Sequence, residues 1–156
     1  MKRNRGVSII ALVIIIIILL VLAGIGINYG MKRLKEAEDV ALETELTEVQ
    51  HAVLEQYNKY MLTKKESNFI GEEYADTAGL ESDFGITAQD TSKYYGLKRN
   101  HLNELNIWEL QNSKEINDEV IIYVVNYQTS EVFNILKKET NAGNMLYIKA
   151  KADTPT

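Results

Sequence analysis

A short basic segment is followed at once by a long run without charge. Residues 1–6, MKRNRG, hold Lys2, Arg3 and Arg5, whereas residues 7–27, VSIIALVIIIIILLVLAGIGI, hold no charged side chain and one hydroxyl, Ser8. At 1.5 Å per residue a helix over this run covers about 30 Å, the thickness of a bilayer's hydrocarbon. A buried helix of a small soluble domain keeps a polar face somewhere, and this run has none. The pattern therefore predicts a transmembrane helix over 7–27.

Residues 28–62 predict an amphipathic continuation of the same helix. Beyond Gly30 the stretch has neither Gly nor Pro and is rich in Glu, Leu, Ala and Lys. Leu42, Leu46, Val49, Val53, Tyr57 and Tyr60 recur at helical spacing and form one apolar stripe, with Glu43, Glu45, Glu48 and Glu55 assigned to the other face. Gly24, Gly26 and Gly30 mark the junction as a place for a bend or local melting. Residues 63–156 form a globular α+β head. Its first part, to Asn117, is broken by Gly71, Gly79, Gly85 and Gly96, with one short helix expected at 99–105 and Leu97, Ile107 and Trp108 filling a small core beside it. The period then changes. Residues 119–127 (EVIIYVVNY), 131–136 (EVFNIL) and 145–151 (MLYIKAK) are expected as three antiparallel strands, the first two joined as a hairpin. The fold class is α+β: a long N-terminal helix, membrane-spanning in its first half, packed through the 42–60 stripe on a small C-terminal antiparallel sheet.

Composition narrows the chemistry. The net charge of −5 argues against nucleic-acid binding through phosphate neutralisation. With no cysteine there is no disulfide framework, thiolate metal site, cysteine nucleophile or lipid-modified cysteine anchor. No catalytic set, cofactor site or metal site is expected. His51 and His101 are far apart in sequence, with His51 expected at the surface of the long helix. Asp83-Phe84-Gly85 spells a kinase metal-binding triplet, but no phosphate loop or catalytic-loop motif accompanies it. Glu72, Glu73, Asp76, Glu81 and Asp83 lack the alternating spacing of a calcium loop and are expected as a solvated acidic loop, with a calcium site assembled in three dimensions as the alternative.

The N-terminus carries the functional signal. A secretory signal places its cleavage site after the apolar stretch. Here Gly6 precedes it, and cutting there leaves the helix in the protein as an anchor. The segment resembles the leader of type IV pilins and of competence and type II secretion pseudopilins. The resemblance implies cleavage after Gly6 by a prepilin peptidase and methylation of Val7 as the new N-terminus. Val7-Ser8-Ile9-Ile10 stands where the family has an apolar or aromatic residue, a hydroxyl and two aliphatics. The family usually has a glutamate five residues after the cut, and this chain has Ala11. That departure fits a minor subunit or a divergent Gram-positive branch. The same branch is suggested by the aliphatic run at 14–18 and by Val125-Asn126-Tyr127-Gln128-Thr129-Ser130-Glu131-Val132, which is similar to a "VNY-x-TGEV" hairpin with Ser130 in place of glycine.

The resemblance implies a pilin-like fold and a non-enzymatic subunit of a type IV pilus-like or type II secretion-like filament. The expected partners are the membrane, other pilin or pseudopilin subunits and the prepilin peptidase. The expected location is the cell membrane, single-pass, with the globular part extracytoplasmic and on a surface filament once assembled. Flanking charge does not set this orientation, because Lys2, Arg3 and Arg5 are balanced by Lys32, Arg33 and Lys35. Two readings compete: a single-pass protein whose small extracytoplasmic binding domain never assembles, and a secreted protein cut near Val21-Leu22-Ala23.

Overall fold

The computed structural model describes residues 9–88, 92–108, 110 and 117–149. Gly6, Val7 and the end of the expected last strand, at 150–151, lie outside the described residues. The chain divides into two compact units, Met1–Ala37 and Glu38–Thr156.

One helix, α1, spans Ile9–Thr63. It continues without interruption through Gly24, Gly26 and Gly30, as the expected continuation of the first helix requires, and does not melt at these glycines. The chain's one proline is Pro155, so no ring interrupts the backbone ladder in α1. The helix ends at Lys64, whose backbone is left-handed (φ 55°) and whose N–H donates to the Tyr60 carbonyl at 2.6 Å.

Among the described residues of the second unit, five strands form one antiparallel meander in sequence order: β1 Glu72–Tyr74, β2 Tyr94–Leu97, β3 Tyr123–Asn126, β4 Glu131–Asn134 and β5 Tyr147–Ile148. Helix α2 (Thr77–Phe84) lies between β1 and β2 in the chain, and α3 (Arg99–Glu104) follows β2. The three-stranded expectation is thus corrected to five. β1 is three residues of EEY and β2 is YYGL, neither long enough nor alternating enough to stand out from a loop. The first expected strand, 119–127, is regular only from Tyr123 to Asn126. Ahead of it, the Ile122 N–H donates to the Leu97 carbonyl at 2.8 Å.

Both faces of the sheet are covered, where a single cover had been expected. On one face Leu46, Val49 and Val53 of α1 pack with Leu97, Tyr123, Val125 and Val132. On the other, Leu80 and Phe84 of α2 pack with Tyr94, Val124 and Phe133. Successive side chains of a strand point to opposite faces, so a sheet covered twice buries consecutive residues, and every residue of β3 and β4 is buried. α2 begins at Asp76, whose carboxylate accepts the Gly79 N–H at 3.0 Å, and stops at Gly85 in a left-handed conformation. α3 appears as expected, with Leu102 and Leu105 buried beside Leu97 and Ile107. Trp108 does not join them: it is 68% exposed.

Two sequence details acquire a geometric reason. Gly71 sits at φ 119°, and a Cβ there would come within 2.9 Å of the Gly96 carbonyl oxygen and of Leu97 Cδ2, so only glycine fits. In the β3–β4 loop the Asn126 side-chain oxygen accepts the Gln128 and Thr129 N–H groups at 3.0 and 3.2 Å, and Ser130 closes the turn at φ 61°. A left-handed residue with a Cβ costs about 1–2 kcal/mol relative to a helical one. Ser130→Gly is therefore expected to stabilise the head by about 0.5–1 kcal/mol, after allowing for glycine's greater unfolded entropy. A higher midpoint in thermal unfolding checks this, and a lower one refutes it.

Candidate assembly surface

The described part of the first unit is an uncovered stretch of α1, without charge from Ile9 to Ile27. Every described residue of α1 from Ile9 to Ala37 is exposed, and Ile9, Ile10 and Leu20 keep more than two thirds of their surface open. Burying one such side chain is worth about 1.5–3 kcal/mol, so the stretch as a whole is worth on the order of tens of kcal/mol of covering. α1 is long and apolar enough to cross a membrane. Ala11 stands among these residues with its side chain exposed.

At the polar end of the stretch is a small cluster that the sequence reading passed over. Arg33 donates through Nη2 and Nε to the Tyr29 hydroxyl at 2.7 and 3.2 Å, lies 5.2 Å from the Tyr29 ring centroid and pairs with Glu36 at 3.2 Å. Tyr29 is two residues beyond the last aliphatic, Ile27. An amphipathic ring beside a cation is the combination that sits well at a membrane–water boundary. The signal was available in the residue type: a tyrosine one turn before an arginine, just past an apolar run.

In the second unit the chemistry-bearing residues have structural tasks. Glu45, assigned from sequence to the outer face, is 5% exposed and accepts a short hydrogen bond from the Tyr123 hydroxyl. The Asn134 side-chain amide donates to that hydroxyl in turn, at 3.4 Å. Burial, and then the neighbouring Glu45 charge, push the Tyr123 pKa far above the usual phenol range. Glu131, 8% exposed, accepts from the hydroxyls of Thr129 at 2.7 Å and Tyr94 at 3.2 Å. The Tyr127 hydroxyl donates to the Ile70 carbonyl at 2.7 Å and accepts the Ile70 N–H at 3.1 Å. Its pKa is also pushed up, chiefly by burial.

His51 is exposed on α1, and His101 Nδ1 accepts the Lys98 N–H at 3.2 Å at the start of α3. The Asp83-Phe84-Gly85 triplet is divided among an ion pair to Lys138 at 2.6 Å, a core phenylalanine and a helix cap. Glu72 pairs with Lys98 at 2.9 Å, and its hydrogen bond to that ammonium holds its carboxyl below the usual range. The Glu81 carboxylate accepts the Ala88 N–H at 2.7 Å. Among the described residues no group of three or more His, Asp or Glu side chains is placed to hold a metal ion.

What these features define is an α+β head and an apolar N-terminal helix able to span a bilayer. Comparison with protein-family models, with curated proteins and with solved structures finds no match.

Proposed function

We propose that this chain is a non-enzymatic structural subunit, a minor or divergent pilin or pseudopilin, of a type IV pilus-like or type II secretion-like filament. The observation that supports this most is the uncovered, uncharged stretch of α1 from Ile9 to Ile27, with a basic leader ending in Gly6 just before it. Such a helix needs lipid around it before assembly and other apolar helices after it, and both cover the same side chains. In this reading the head is extracytoplasmic, a prepilin peptidase cuts after Gly6, and Val7 becomes the methylated N-terminus. Ala11 leaves the helix without the carboxylate the family uses to pair with a neighbour's amine, which fits a subunit that does not make the bulk of a filament.

Intact mass of the protein purified from its membrane tests the processing. The expected product lacks residues 1–6 and carries one added methyl group, and removal of Lys2, Arg3 and Arg5 takes the net charge from −5 to −8 (−5 minus 3). Gly6→Leu, which fills the space a peptidase needs beside the backbone, is expected to leave more than about nine tenths of the chain as uncut precursor. Normal maturation of that variant would end the leader assignment, and a mature N-terminus at Gly24 would establish a secretory signal instead. Correct processing without recovery in a sheared-filament pellet would favour the single-pass protein that does not assemble.

A further inference from the structure

Three partly exposed aromatic rings from three separate segments meet at one recess in the head. Tyr60 comes from the last turn of α1, Phe69 from the segment after the 3-10 turn Glu66–Asn68, and Tyr95 from β2. The Phe69 ring lies 4.6 Å from Tyr60 and 5.7 Å from Tyr95, and stacks at 4.7 Å on Tyr127, whose hydroxyl is tied to Ile70. The buried, doubly bonded Tyr127 makes a fixed floor, so the aromatic walls are preorganised. The space enclosed is about 120 Å3, and its rim carries a carboxylate (Glu66), an ammonium (Lys93) and a primary amide (Gln128).

We propose that this recess binds a neutral saccharide unit. The lining sorts the possible ligands by charge. Lys93 on the rim and the Lys64 ammonium, 5.6 Å from the Tyr60 ring centroid, oppose a cation. Glu66 on the same rim offsets part of that positive charge and weakens the pull on an anion, and three polar side chains around an opening of this size oppose a purely apolar group. A pyranose ring presents an apolar C–H face to an aromatic wall and hydroxyls around its edge. Those hydroxyls donate to a carboxylate or amide oxygen and accept from an ammonium or amide N–H, the inventory on this rim. Burial, and then the Glu66 charge, raise the Tyr95 pKa, so its hydroxyl stays a proton donor at any physiological pH. A recess of about 120 Å3 takes only one face and edge of a pyranose ring, which implies weak, millimolar binding at a single head. The inference does not depend on whether the anchor enters a filament.

The full chain in phosphatidylglycerol nanodiscs, free of sugar-headed detergent, is examined by saturation-transfer difference NMR with about 10 mM methyl glycosides of glucose, galactose or N-acetylglucosamine. Transfer to ring C–H protons of at least one glycoside is expected, with none from empty nanodiscs. Tyr60→Ala is expected to weaken binding at least about tenfold, and Glu66→Gln about threefold, with the near-ultraviolet circular dichroism of the head retained. Gln128→Ala, an exposed loop change, supplies a variant that leaves the aromatic stack intact and should also weaken binding. Silence with all three glycosides overturns the proposal. So does transfer unchanged by Tyr60→Ala and Gln128→Ala together, or transfer to tetramethylammonium with the glycosides silent.

Discussion

Val53→Asp is expected to prevent the head from folding, while Glu48→Ala, five residues earlier on the same helix, leaves it almost untouched. Val53 has no exposed surface and lies in the core that α1 shares with Leu97, Tyr123, Val125 and Val132. Aspartate there loses the burial of an aliphatic side chain, worth about 1.5–3 kcal/mol, and adds the cost of an unpaired carboxylate in an apolar site. Together these exceed about 4 kcal/mol, a large part of the 5–15 kcal/mol that stabilises an ordinary domain. Glu48 is exposed, and its removal should change stability by no more than about 0.5 kcal/mol. Near-ultraviolet circular dichroism of the full chain in nanodiscs, followed through heating and corrected for empty nanodiscs, reads chiefly the head, because Tyr29 is the one aromatic residue ahead of Glu38. Equal transitions for the two variants would refute the packing of α1 on the sheet.

The second large effect is an alkaline one. Tyr123 and Tyr127 both have folded-state pKa values pushed well above the usual phenol range, chiefly by burial. For a group shifted upward, the stabilisation is intact below the unfolded pKa and is lost as pH rises above it. Unfolded tyrosine titrates near pH 10, so above that each buried ring removes about 1.4 kcal/mol of stability per pH unit, and the two together about 2.7. The head should therefore unfold cooperatively in alkali, with tyrosinate absorbance rising in the same step. Tyr123→Phe separates the contributions. At neutral pH it takes the hydroxyl donor away from the buried Glu45 carboxylate and should cost about 1.5–3 kcal/mol. Above pH 10 its stability should fall less steeply than that of the wild type, by up to about 1.4 kcal/mol per pH unit. An unchanged slope would mean that Tyr123 ionises in the folded head.

The contrast between Val53 and Glu45 shows where sequence reasoning held and where it failed. The apolar stripe was legible because 3.6-residue periodicity is a local property, and Leu42, Leu46, Val49 and Val53 are all buried. Glu45 lies three residues after Leu42 and four before Val49, on that same stripe. Its residue type argued for the surface, and the partner that makes burial tolerable, Tyr123, is 78 positions away. β3 and β4 announced themselves as β-branched runs. β1, β2 and α2 did not, because Glu72-Glu73-Tyr74 is held by pairing with β2, Gly96 interrupts YYGL, and α2 is eight residues with Gly79 inside it. The exposure of Trp108 was equally hidden, since a lone tryptophan reads as core by type. The uncharged run was plain, and the Tyr29–Arg33 pair lay open to a reading of residue types one turn apart, whereas the aromatic recess arises only in the folded head. The recess in particular gathers rings from positions 60, 69, 95 and 127, which no window of sequence brings together.

The borders of the sheet bear on how copies of this chain tolerate one another. A strand at a sheet's margin offers unpaired N–H and carbonyl groups, and molecules confined to one bilayer meet far more often than the same number free in solution. Here both margins are poor templates. β5 is two residues long, and β1 is three, with Glu72 and Glu73 both exposed. Two β1 margins brought together would set carboxylates against carboxylates, and β5, Tyr147–Ile148, offers too short a span to template a strand. Short, acidic margins of this kind disfavour fusion strand to strand into insoluble cross-β aggregates.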